Sequence, residues 1–94
     1  MHVISNKALR QFAERYPDAD MPLQAWRRLM EKSEFENFAE LKAAFGTVDK
    51  VGELYVFDIG GNKYRLIADV RLSRRLVFIK AVQPHSEYDK GKWK

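Results

Sequence analysis

The spacing of hydrophobic residues changes once along this chain, near Gly46, and nothing else in the sequence limits the fold so much. Before that point apolar side chains recur every three or four residues, the period of a helix face. Leu9, Phe12, Ala13 and Tyr16 form one such stripe; Leu23, Trp26, Met30 and Ser33 form a second, with Leu29 beside it. After Gly46 the period is two, as in a strand with one buried face. Helices first and consecutive strands afterwards predict an α+β domain rather than an alternating α/β one.

Local chemistry sets the boundaries. Val3 and Ile4 give a short apolar start, expected as one strand, and Ser5 is placed as the N-cap of the first helix. Pro17 ends that helix, because the residue before a proline avoids helical dihedrals. Asp20 is expected to cap the second helix, with Pro22 in its first turn. Asn37 and Glu40 have the spacing of a capping box and open a short third segment with Phe38, Leu41 and Phe45 inward.

Leu54–Ile59, Tyr64–Leu72 and Leu76–Val82 then read as three strands. Gly60-Gly61-Asn62 joins the first two, with glycine where φ must be positive. Ser73-Arg74-Arg75 joins the second to the third, and turns this short make the strands antiparallel. Tyr64, Leu66, Ala68, Val70 and Leu72 share one face, which the helices are expected to cover, so Tyr64 and Trp26 are read as core. Arg65, Ile67, Asp69 and Arg71 share the other face, which is expected to stay open, with Lys80 also on it.

At 94 residues the chain has room for a single domain, 1–94. Its 46% hydrophobic and 32% charged residues are a globular composition. It has no run of about 18 apolar residues, so no membrane partner is expected. Met1-His2-Val3-Ile4 leads straight into a charged segment, so no leader is expected either. With no cysteine, thiolate chemistry and cysteine metal sites are excluded, and a reducing cytoplasm is the expected location.

Charge is unevenly placed. Residues 1–60 hold eight Lys/Arg against ten Asp/Glu, whereas residues 61–94 hold nine against three. The net charge of +4 therefore conceals a strongly basic final third. That asymmetry suits a polyanion such as nucleic acid, and it equally suits a solvated basic surface.

Two segments carry candidate chemistry. His85-Ser86-Glu87-Tyr88-Asp89-Lys90 places an imidazole, two carboxylates, a phenol and an amine within six residues. These are the parts of metal-free RNA cleavage, which needs a base for the ribose 2′-hydroxyl, cations for the charge on phosphorus and an acid for the departing 5′-oxygen. Histidine serves as acid or base near neutrality. Lys63, Arg65 and Lys80 are candidates to hold the phosphate, and Tyr88 to stack on a base. The same segment also reads as an ordinary polar tail. His85, Glu87 and Asp89 match no metal-site spacing, so neither a metal nor another cofactor is expected.

The chain resembles HigB-family toxins of bacterial type II toxin–antitoxin pairs. The resemblance begins with Met1-His2-Val3-Ile4-Ser5 and runs through Tyr16-Pro17-Asp18-Ala19 to Asn37-Phe38-Ala39-Glu40-Leu41-Lys42. Its most specific stretch is Val56-Phe57-Asp58-Ile59-Gly60-Gly61-Asn62-Lys63-Tyr64-Arg65-Leu66-Ile67, followed by His85-Ser86-Glu87-Tyr88-Asp89. It implies a RelE-like fold: an N-terminal strand and two to three helices packed on a C-terminal antiparallel sheet.

The resemblance also implies a metal-independent endoribonuclease that cleaves mRNA on the translating bacterial ribosome. The expected partners are mRNA, the ribosome and a HigA-type helix-turn-helix antitoxin, with promoter DNA met only through the toxin–antitoxin complex. Carried over by position, His85, Arg65, Tyr88 and Asp89 are the expected catalytic set. Asn62, Lys63, Lys80 and Lys90 are the expected RNA or phosphate ligands.

Two positions depart from the family pattern. Pro84 stands where a threonine is usual, and Asp58 where an asparagine is common. Either change bears on activity. The alternative expectation is thus a catalytically weak module of the same fold that binds nucleic acid or antitoxin.

Overall fold

The structure, a computed structural model, describes residues 1–86. Strand β1 (His2–Ile4) leads into α1 (Asn6–Arg15), a 3₁₀ turn at Pro17–Ala19, α2 (Asp20–Lys32) and α3 (Phe38–Ala44). Then come β2 (Asp49–Val51), β3 (Leu54–Ile59), β4 (Tyr64–Arg71), a second 3₁₀ turn at Leu72–Arg74, and β5 (Leu76–Pro84). The five strands form one sheet in the order β1-β5-β4-β3-β2. Strands β2 to β5 are antiparallel neighbours, and β1 runs parallel to β5. The α+β expectation holds, with three helices before the main sheet.

The helices bury one sheet face. Leu9 of α1, Leu23, Trp26 and Met30 of α2, and Leu41 of α3 meet Tyr55, Phe57, Ile59, Tyr64, Leu66, Ala68, Val70 and Val77 of the sheet. Trp26 is 4% exposed and sits edge-on to Phe57, ring centres 5.3 Å apart. Phe45 meets the same Phe57 ring edge-on at 5.2 Å. Edge-on pairs of this kind add ~0.5–1.5 kcal/mol each beyond area burial. The capping box is present in a shifted form. Asn37 Oδ1 accepts from the Glu40 backbone N–H at 3.0 Å, while Glu40 Oε1 reaches back to the N–H of Glu36 at 3.1 Å.

Several details differ from the sequence-based expectations. Helix α2 contains Asp20 instead of being capped by it, because the Pro17–Ala19 turn leads directly into the helix and leaves Ala19 at the cap. The Asp20 carboxylate still lies in the first turn, where the helix dipole favours a negative charge. Ser5 has the extended cap backbone without a side-chain capping bond. Strand β2 was not legible, being three residues of a polar, mostly exposed edge. Strand β5 continues to Pro84, so its pairing with β4 runs to the very start of that strand.

The face opposite the helices is corrected in two respects. It is not open at its centre: Val56 and Ile67, paired across β3 and β4, are 3% and 1% exposed, and Arg65 is 9% exposed. Nor does it carry Lys80. The β4–β5 register shifts between Ile67, opposite Ala81, and Ala68, opposite Ile79, so Lys80 is the extra residue of a bulge. It lines a groove beside α1 with Ala8, Gln11, Phe12 and Arg15. No helix among the described residues is long and apolar enough to cross a membrane.

Candidate functional site

The β3–β4 turn builds the site. Ile59 pairs with Tyr64, and Gly60 and Gly61 between them take φ of 63° and 72°. Side chains are strained in that left-handed region, so two glycines here let the chain reverse without cost. The turn delivers Asn62 and Lys63 at the end of the sheet, with Arg65 one strand position further in. Strand β5 brings His85 to the same end. Its backbone N–H donates to the Lys63 carbonyl at 2.9 Å, and the imidazole is half-buried.

This register answers the question raised by Pro84. The His85 N–H to Lys63 carbonyl bond flanks the Tyr64/Pro84 pair, so that pair is a non-hydrogen-bonded one. A proline there withdraws no donor from the β4–β5 ladder. The backbone of His85 stays fixed against the turn.

Consecutive residues of β4 serve opposite faces. Tyr64 points to the helices, where its hydroxyl donates to Asp18 Oδ1 at 2.5 Å. Lys63 Nζ lies 3.3 Å from the other oxygen of that carboxylate. The Asp18 bond and burial together raise the Tyr64 hydroxyl to about 12. The same bond, with help from Lys63, holds the Asp18 carboxyl below its usual value of 3.8, and partial desolvation opposes the shift.

Arg65 points the other way. Its Nε lies 3.2 Å from Asp58 Oδ1, and its terminal nitrogens donate to Asn62 Oδ1 at 2.6 Å and to the Tyr64 carbonyl at 3.3 Å. Asp58 and Arg65 are direct cross-strand partners.

The structure therefore brings Asn62, Lys63, Arg65 and His85 together and leaves Lys80 apart, on the bulge beside α1. Tyr88, Asp89 and Lys90 lie outside the described residues. Sequence reasoning missed Asp18 as a partner of the turn. It sits 46 residues before Tyr64, in a Pro-Asp turn with no local signal of the contact. Asp58 was visible as a departure but not as the mate of Arg65, although β3–β4 pairing around a four-residue turn would have placed the two opposite each other. No group of three or more His, Asp or Glu among the described residues is placed to hold a metal ion.

Three helices packed on a sheet whose hairpin turn holds the backbone of a histidine beside a lysine define a class. The family model described as the RelE-like toxic component of a toxin–antitoxin system matches residues 19–91. Curated relatives carry the same identity. The chain is 32% identical to the mRNA interferase HigB of Escherichia coli O6:H1, over 96% of this chain and 90% of the relative. It is 38% identical to the mRNA interferase toxin HigB of Escherichia coli K12, over 95% of this chain and 88% of the relative. The mRNA interferase HigB of Shigella flexneri matches to the same extent. The chain belongs to the HigB toxin family.

Proposed function

We propose that this chain is the toxin of a type II toxin–antitoxin pair and acts as a metal-independent endoribonuclease that cleaves mRNA and so inhibits translation. The observation that carries the reading is the backbone bond between His85 and Lys63, which joins the chain's two family motifs at one end of the sheet. Attack of a ribose 2′-oxygen forms a new bond to phosphorus and breaks the bond to the 5′-oxygen. One proton leaves the 2′-hydroxyl and another must reach the departing oxygen.

His85 is the proposed acid or base of that exchange. Arg65 and Lys63 hold the phosphate and meet its developing charge, and Asn62 fixes the Arg65 guanidinium from the turn. Tyr88 positions the RNA, and Asp89 orients His85 or bonds a ribose. Lys90 is a weaker phosphate ligand. Lys80, on the β5 bulge that lines a groove with α1 residues, is a further RNA or phosphate ligand. Cleavage takes place on the translating ribosome in the bacterial cytoplasm. The neutralising partner is a helix-turn-helix antitoxin of the HigA type, and promoter DNA is met only through that complex.

The test is primer extension on a defined mRNA in a bacterial translation extract, with wild type and His85→Ala in parallel. Discrete in-frame cuts made by the wild type alone are expected, with cleavage by His85→Ala down about 100-fold or more, the usual scale of a lost acid or base. Equal cutting by both proteins removes His85 from the mechanism. No cutting by either, with ribosome binding retained, turns the reading to a binding module of the same fold.

A further inference from the structure

Both hairpin cations assigned to the phosphate already hold a carboxylate, but on very different terms. In the Lys63–Asp18 pair the side chains are 67% and 53% exposed, so solvent screens the attraction and the lysine is easily given up to another anion. In the Arg65–Asp58 pair they are 11% and 26% exposed. The ladder sets this second contact, because Asp58 and Arg65 are opposite each other in β3 and β4. Asn62 holds the guanidinium from a second side at 2.6 Å. A carboxylate 3.2 Å from a poorly solvated guanidinium cancels much of its field at any nearby site.

We infer that Asp58 is a positioning residue of the RNA site, one that aims the Arg65 guanidinium while offsetting its charge. The inference rests on Arg65 being a phosphate ligand, as proposed above. Arg65 then orients a phosphate through directed N–H donors rather than by net attraction. RNA binding is accordingly weaker, and less sensitive to salt, than the number of basic residues suggests. An asparagine at 58 keeps an oxygen for Arg65 Nε and removes the charge, so the two roles separate in one substitution.

The experiment is a salt series of fluorescence-anisotropy titrations with a single-stranded RNA oligonucleotide made non-cleavable by 2′-O-methylation. The proteins are wild type, Asp58→Asn, Asp58→Glu, Arg65→Gln and Asp58→Asn combined with Arg65→Gln. Removing one carboxylate from beside a cation that meets a single strand steepens the slope of log K against log salt, by at most about 0.7. Asp58→Asn is therefore expected to bind more tightly than wild type at low salt, with an advantage that shrinks by up to about threefold between roughly 50 and 200 mM salt. Asp58→Glu is expected to keep the wild-type slope, and the gain is expected to vanish in the Arg65→Gln background.

An unchanged slope in Asp58→Asn overturns the inference, and so does a gain that persists without Arg65. Should Asp58→Asn fail to fold by circular dichroism, Asp58→Ser is judged by the same slope. Absence of RNA binding by every variant at low salt removes the premise that Arg65 meets RNA and overturns the inference, while cleavage itself is decided by the translation-extract test. Binding with no effect of Asp58 overturns the inference alone.

Discussion

Tyr64 and Arg65 are neighbours in one strand, and each ends on an aspartate, yet the two faces they serve are stabilised by different physics. Tyr64 enters a face covered by helices, where aromatic rings interlock and a single polar bond to Asp18 closes the edge. Arg65 enters a face without a described helix, where the β4 arginines are matched by carboxylates: Arg65 by Asp58 and Arg71 by Asp69. The first face derives its stability from burial, which scales with area and does not depend on charge screening. The second is organised by charge, which contributes little to stability when exposed and much to recognition. One side of the sheet holds most of the apolar core, and the other surrounds a small buried centre at Val56 and Ile67 with paired charges.

The comparison breaks most visibly at Trp26. Truncation to alanine is expected to cost ~3–5 kcal/mol in denaturant unfolding, the usual range for a large buried aromatic. A loss below ~1 kcal/mol would show that the helix-covered face does not dominate stability.

Tyr64→Phe gives a smaller effect in the same unfolding measurement, since it removes one hydrogen bond to a carboxylate at the face's edge. It carries a pH signature. Because the Tyr64 hydroxyl is raised from 10.0 to about 12 in the folded state, the contribution of its bond is complete below pH 10 and is lost as pH climbs through about 12. Asp18 is shifted downward, so its share is present above pH 3.8 and is lost as pH falls below that value. Tyrosinate absorbance should show Tyr64 ionising at about 12 and moving back toward 10.0 in Asp18→Asn.

The smallest effect is expected at Arg71→Ala, which removes an exposed ion pair with Asp69 and a contact over the Phe78 ring. Thermal unfolding should register no more than about 1 kcal/mol. A larger loss would mean that the charged face carries more of the fold than its exposure suggests.

These differences also explain what the sequence could reveal. Periods of 3.6 and 2 are local, so the helix stripes and the β3 strand could be placed from residues alone; β3 begins and ends where expected, at Leu54 and Ile59. The Gly60-Gly61 turn was legible because positive φ has a residue signature. What stayed hidden depends on partners distant in the chain. Nothing near Val3 indicates that it pairs in parallel with Val77. Nothing near Asp18 indicates Tyr64, and the bulge at Lys80 arises from a shift in pairing that alternation cannot express. The hairpin half of the site was readable as a motif. Its counter-anions were not, because a carboxylate's partner is set by the fold and not by its neighbours in sequence.

The position of β5 has a consequence in time. It is the last made of the described strands and stands between β1 and β4. Chains emerge from the ribosome amino terminus first. While the β3–β4 hairpin is already complete, β1 still has no partner, one edge of β4 is bare, and His85 has not yet met Lys63. Pairing Val3 with Val77 closes residues 3–77 into one loop, a slow kind of contact to form. The histidine proposed for the proton transfer and the hairpin cations proposed for the phosphate thus meet only after β5 has been made, when β1 and β5 come to lie side by side.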